Sequence, residues 1–286
     1  MSRALCSMEK GGSMNAFTRF RSWGVAFAAL ISLVAVAGAT TTKPAAPDQD
    51  EELKVGKEIF DELKAKGEII ESSPLYDVLN PVIDPIMKAA QPMYPHPFKV
   101  YLVHEPHPNA FATPGGYIYV VDELLYFAKN KEQLAGTLSH EVAHTIHHDG
   151  LELAKKQAAI RRREIGGAIL LGPTRAHILA IALLGKLHAL TYSRQAESRA
   201  DLTGSDICAK ANINPWGLVW LFQDFKNARE REIPQLLSDH PSDQNRVAAL
   251  EKHFRTHPEV FGRFRPDARL ATRLDVPRKV PVVFLR

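Results

Sequence analysis

His140-Glu-Val-Ala-His144 is the stretch that decides how this chain is read. On an α-helix, residues four apart lie on one face, only about 40° apart around the axis. Both imidazoles can therefore reach one metal ion while Glu141 stands beside the first. Leu134, Leu138, Val142 and Ile146 recur at the same spacing, which predicts a helix from Lys131 through His148 with an apolar side for a core. Two imidazoles and one carboxylate suit zinc, with a fourth position left for water.

The pattern H-E-x-x-H is the helix signature of zinc proteases. The longer form H-E-x-x-H-x-x-G-x-x-H fails, because position 147 is His and position 150 is Gly. The third ligand is therefore sought downstream. Tyr192-Ser-Arg-Gln-Ala-Glu197-Ser-Arg-Ala-Asp201 supplies a second helical pair at spacing four. Glu197 is the expected third ligand. Asp201, one turn on, is placed to accept from the other nitrogen of a ligand imidazole and so fix its tautomer.

Taken with Asp239-His240-Pro241, Arg246 and the upstream run Asn109-Ala-Phe-Ala-Thr-Pro-Gly-Gly116, these motifs resemble the HtpX/Oma/CAAX-prenyl-protease family of zinc metallopeptidases over roughly residues 52–255. The resemblance is to its periplasmic, BepA-like or Oma-like branch. It implies an α+β, mainly helical zincin-like domain with a small β-hairpin ahead of the metal helix. It also implies one Zn2+ per chain on His140, His144 and Glu197, with Glu141 as general base and then proton donor. Asp201 would stand behind a ligand imidazole. His240 would approach the metal, either stabilising the oxyanion or capping the ion at rest, and Arg246 would anchor His240 or the substrate backbone.

Lys99-Val-Tyr-Leu-Val103 and Gly116-Tyr-Ile-Tyr-Val-Val121 read as strands, with Pro114-Gly115-Gly116 as a turn. An edge strand at Asn109, Ala110 and Phe111 can take an extended peptide by strand addition, which selects unfolded polypeptide rather than a sequence. His148 falls eight residues from His140 and reads as a local structural histidine; His147 reads as solvated.

The ends of the chain carry the compartment argument. Met14-Asn-Ala-Phe-Thr-Arg-Phe-Arg-Ser22, the apolar run Trp23 to Val36 and Ala37-Gly38-Ala39 form a signal peptide over 1–39, with Met14 as a candidate start. Cleavage near Ala39 is expected, an uncleaved anchor being the alternative, and the protein is placed in the periplasm. Beyond it lie a linker at 40–50, the peptidase domain at 51–255 and a basic extension at 256–286. Past residue 39 there are 32 basic and 31 acidic residues, which gives no electrostatic footprint for nucleic acid. Cys208 is left without a disulfide partner. Residues 165–190 are apolar but broken, and read as a core helix pair or a membrane-facing insert. The sequence thus expects a zinc endopeptidase of envelope quality control, with a peptide-binding holdase or assembly chaperone as the competing class. Its partners are extended polypeptides, with membrane-surface contact through 165–190 or the tail.

Overall fold

The computed structural model describes residues 49–164, 175–184, 192–227, 240, 244–278 and 280–285. The signal peptide, most of the linker, Asp239 and Pro241 lie outside these residues. The chain runs α1 (Gln49–Ala65), β1 (Ile69–Ser72), α2 (Leu75–Ala90), β2 (Lys99–Val103), β3 (Ala110–Thr113), β4 (Tyr117–Val121), α3 (Asp122–Phe127) and α4 (Lys131–Ile146). It continues with α5 (Asp149–Glu164), α6 (Arg175–Leu184), α7 (Arg194–Lys210), α8 (Trp216–Asn227), α9 (Gln244–Thr256), α10 (Pro258–Phe261) and β5 (Val283–Phe284). The expected mainly helical α+β class is what the chain adopts.

The strands form one sheet in the order β3-β4-β2-β1-β5, with β2 and β4 parallel and the other neighbours antiparallel. The period-2 alternation sends Ile70, Leu102, Ala110, Ala112, Ile118 and Val120 into one core with α2, α4, α7 and α8. It sends Ile69, Val103, Phe111, Tyr117, Tyr119 and Val121 into a second core with α1, α5 and α6. Both faces are covered, which is why Tyr117 to Val121 is apolar at every position. The turn from β3 into β4 puts Gly115 at φ 82 and Gly116 at φ 86, a region that costs a side chain dearly and glycine little.

The insert at 165–190 is described only over α6, where Leu179, Ala180 and Leu183 are buried in the second core. Residues 165–174 and 185–191 lie outside the described set. Among the described residues no helix is long and apolar enough to cross a membrane.

The sequence reading set the basic extension apart from the domain; the structure binds it into the same compact unit, Ala46–Arg286. Its chain crosses the start of α4. An α-helix leaves its first N–H groups without intrahelical partners. Here the Lys131 N–H donates to Thr272 O at 2.9 Å, and the Gln133 N–H donates to the Asn130 side chain at 2.8 Å. Thr272 in turn donates its N–H and hydroxyl to the two oxygens of Glu132, at 2.9 and 2.8 Å. Trp220 Nε1 donates to Pro266 O at 2.8 Å, and β5 pairs with β1. At the tail's surface Arg269 pairs with Asp267 at 2.8 Å and Arg273 with Asp275 at 2.5 Å.

Deleting residues 265–286 therefore removes a helix cap as well as apolar cover. Thermal denaturation should show the midpoint lowered by about 5–15 °C, as expected for a loss of a few kcal/mol in a domain of this size. An unchanged midpoint would show the strap to be dispensable.

Candidate metal centre

The helix α4 is more deeply placed than its apolar spacing suggests. Every residue from Glu132 to Thr145 is buried, because α2, α7, α8 and β3 surround it. Its polar side chains find partners there: Gln133 donates to Asp224 at 2.6 Å and Ser139 meets Cys208 at 3.0 Å. Helix α7 lies against α4 at Gly204. A Cβ on Gly204 would stand 3.0 Å from the His140 N and the Ser139 O, so a side chain there would press the two helices apart by a few tenths of an ångström.

That contact brings Glu197 to the histidine pair. Donor atoms of His140, His144, Glu197 and His240 all lie within 4.8 Å of one another, and all four residues are buried. His140 Nε2 is 3.0 Å from His144 Nε2 and 3.2 Å from His240 Nδ1. Glu197 Oε1 is 3.0 Å from His240 Nδ1 and 3.5 Å from His144 Nε2, while its Oε2 is 3.4 Å from His140 Nε2. Glu141 Oε1 is 3.3 Å from His240 Nε2.

The supporting groups settle which nitrogens are free to ligate. His140 Nδ1 faces Asp201 Oδ1 at 2.9 Å, and His144 Nδ1 faces Asp149 Oδ2 at 2.9 Å. In the neutral rings a proton on each Nδ1 faces a carboxylate, which leaves each Nε2 with a lone pair towards the other. Two lone pairs at 3.0 Å repel unless a proton or a metal ion joins them. Borderline-soft imidazole nitrogens with one carboxylate are the donor set zinc takes. The residues present fit a metal.

Arg246 holds the rest. Its Nε and Nη2 donate to the two oxygens of Asp201, both at 2.7 Å. Its Nη1 is 2.9 Å from Glu197 Oε2 and donates to His240 O at 3.2 Å. Its guanidinium stacks 4.5 Å over the Phe222 ring. Burial opposes charge on Asp201, yet Arg246 and His140 outweigh it and hold its carboxyl below the usual range. Burial likewise opposes charge on Glu197, but the three histidines keep that carboxyl far below its ordinary value. Glu141 goes the other way: burial raises it, although His240, His140 and the Ala112 amide favour its charged form.

The structure thus brings His140, Glu141, His144, Glu197, Asp201, His240 and Arg246 together. It leaves out His148, whose φ of 57° ends α4 and turns the ring to Glu52 at 2.9 Å. His147 is not solvated: it is half-buried, meets Thr203 Oγ1 at 2.8 Å, and burial with Arg199 nearby lowers its pKa to about 4. On the expected edge strand, Val121 N–H donates to Asn109 O at 2.9 Å. Counting along the register, Phe111 then bonds inward to Tyr119, and its side chain enters the second core. Phe111 therefore offers no outward main-chain groups, and Asn109 uses its side chain to accept the Ala110 N–H at 2.9 Å. The outward groups are the C=O of Ala110 and the C=O of Ala112, the Ala112 N–H being turned to Glu141.

Asp149 and Tyr192 were not anticipated. The Tyr192 ring stacks on His144 with centroids 4.1 Å apart and a 19° tilt. Asp149 stands five residues beyond His144, off the ligand face of a continuous helix, and only the break at His148 returns it.

A sequence profile described as peptidase family M48 matches residues 77–254. The mitochondrial metalloendopeptidase OMA1 of Saccharomyces cerevisiae is 27% identical over 172 residues, covering 57% of this chain and 49% of that protein. The metalloendopeptidase OMA1 of Bos taurus is 29% identical over 168 residues, 54% of this chain and 32% of that one. The beta-barrel assembly-enhancing protease of Escherichia coli strain K12 is 27% identical over 162 residues, 53% of this chain and 33% of that one. The chain matches between about a third and a half of the length of these relatives.

Without metal, the cluster keeps a proton. Burial disfavours the His140 imidazolium, but Asp201 and Glu197 override it and push its pKa up to about 10, above the ordinary value of 6.5. A raised folded-state pKa stabilises fully below the unfolded value and loses that contribution as pH rises through the folded one. In chelator, the melting midpoint should therefore fall between about pH 7 and 10. Zinc-loaded protein, with the ion in the proton's place, should show a smaller fall over the same range. Parallel curves would contradict this.

Proposed function

Because the chain belongs to peptidase family M48, we propose that it is a zinc-dependent endopeptidase cutting extended segments of misfolded or misassembled envelope proteins. One observation carries the reading: four buried donors converge within 4.8 Å beside a buried glutamate and the outer edge of a strand. His140, His144 and Glu197 would hold zinc, which when bound would supply a Lewis acid for the scissile carbonyl and lower the pKa of a bound water to about 7.

The chain's own groups supply the rest. Glu141 takes the proton of the attacking water and returns it to the leaving amine nitrogen. The C=O groups of Ala110 and Ala112 can accept from a substrate main chain, which favours extended polypeptide of varied sequence. The apolar run at residues 23–36 supports export to the periplasm. Relatives named beta-barrel assembly-enhancing protease support a role in the envelope. Surface contact with a membrane, through 165–190 or the tail, belongs to the same proposal.

His240 favours a second reading of the same site. Its Nδ1 lies among the donor atoms, 3.0 Å from Glu197 and 3.2 Å from His140, the placement of a fourth ligand. All four residues of β3 are buried as well. A centre shut in this way rests inactive, and a peptide-binding holdase or assembly chaperone is the competing function.

Glu141→Gln should keep stoichiometric zinc and lose hydrolysis of casein by a factor of about 10² or more. An active, contaminant-free variant would remove Glu141 from the reaction. His240→Ala should retain zinc on its three remaining ligands and hydrolyse casein faster than the parent. Hydrolysis absent from parent and variant alike at full zinc occupancy would favour the holdase, and loss confined to the variant would make His240 the partner of the oxyanion.

A further inference from the structure

The carboxylate behind His140, Asp201, answers to the sequence spacing; the one behind His144 does not. Asp149 is the first residue of α5, nearly buried, and its two oxygens face different partners. Oδ2 is 2.9 Å from His144 Nδ1, and Oδ1 accepts from Arg199 Nη2 at 2.5 Å. Arg199 lies on α7 between Glu197 and Asp201, and its side chain is half exposed. The two imidazoles are therefore backed alike, His140 by Asp201 and Arg246, His144 by Asp149 and Arg199. The first arm is buried to its end and the second reaches solvent.

We propose that Asp149 is the positioning residue for His144, holding its Nδ1–H so that Nε2 presents its lone pair to the metal, with Arg199 holding Asp149. Three constraints meet at His144: the helix backbone, the Tyr192 ring against its face, and Asp149 at its rear edge. The first two fix where the ring lies but not which nitrogen carries the proton. The carboxylate at 2.9 Å favours one tautomer over the pull of Glu197 Oε1, 3.5 Å from Nε2, because an acceptor at Nδ1 is satisfied by the Nδ1–H form alone. The break at His148 has a reason in this light. Its φ of 57° ends α4 one turn after His144 and restarts the chain as α5 with Asp149 at the imidazole. The carboxylate also sits in the first turn of α5, where the helix dipole favours its charge.

The inference rests on zinc binding at this site, and its test separates the two. Zinc dissociation constants would be measured on the full chain by competition with a chromophoric chelator, with circular dichroism and the melting midpoint of the metal-free protein recorded alongside. Asp149→Ala should weaken zinc binding about 10- to 100-fold, the range found for carboxylates behind a ligand histidine. Asp149→Asn, which keeps an acceptor oxygen but no charge, should fall between Asp149→Ala and the parent. Arg199→Ala should weaken binding less than Asp149→Ala. Zinc affinities of both Asp149 variants within twofold of the parent would overturn the inference. If Asp149→Ala fails to fold, the near-isosteric Asp149→Asn decides, and parental affinity there would be equally fatal. A parent that binds no zinc would instead overturn the metal reading itself.

Discussion

Two imidazole nitrogens face each other 3.0 Å apart, an arrangement that needs a proton or a metal ion to join them and that no apolar core would tolerate for its own sake. Holding them there takes carboxylates behind both rings and a third carboxylate between them. Those three acidic groups are almost wholly buried, and a buried charge is costly unless paired. Arg246 answers two of them and Arg199 the third. The helices α4, α5, α7 and α9 are thus joined through one polar network inside an otherwise apolar molecule. Electrostatic need at the site, rather than hydrophobic area, determines which helix ends must meet.

The apolar layers serve that network by removing freedom. With α4 enclosed on all sides, the rings of His140 and His144 cannot trade places with solvent. Where α7 approaches, Gly204 lets main chain lie on main chain. The spacing between the first histidine and the glutamate is consequently set by backbone contact, which repacking of side chains alters little. Larger residues at 204 would have to displace the helix that carries Glu197.

The histidine helix was legible in the sequence because its logic is local. His140 and His144 share a face by the helical period, as do Glu197 and Asp201, and each pair needed only its own segment to be found. His240 and Arg246 have no such periodic relation to the rest; they entered through resemblance, and the structure shows Arg246 tying Asp201, Glu197 and His240 together. Asp149 was hidden by a change of helix that periodicity extrapolates straight through. The full burial of α4 escaped because its polar residues look like a solvent face until their partners on other helices are known. The tail misled for a related reason: its contacts are largely main-chain hydrogen bonds, which leave little trace in composition.

The strap at Thr272 also fixes an order of events. The groups that cap the start of the metal helix, and the strand that completes the sheet, are synthesised more than a hundred residues after that helix begins. Closing so long a loop comes late in folding. A ribosome-bound chain that has already made His140, Glu141 and Glu197 still has an uncapped helix and a sheet short of its edge. The metal site gains its final support only when residues 265–285 pack back on α4 and β1, so a growing chain carries its ligands before it carries the finished scaffold.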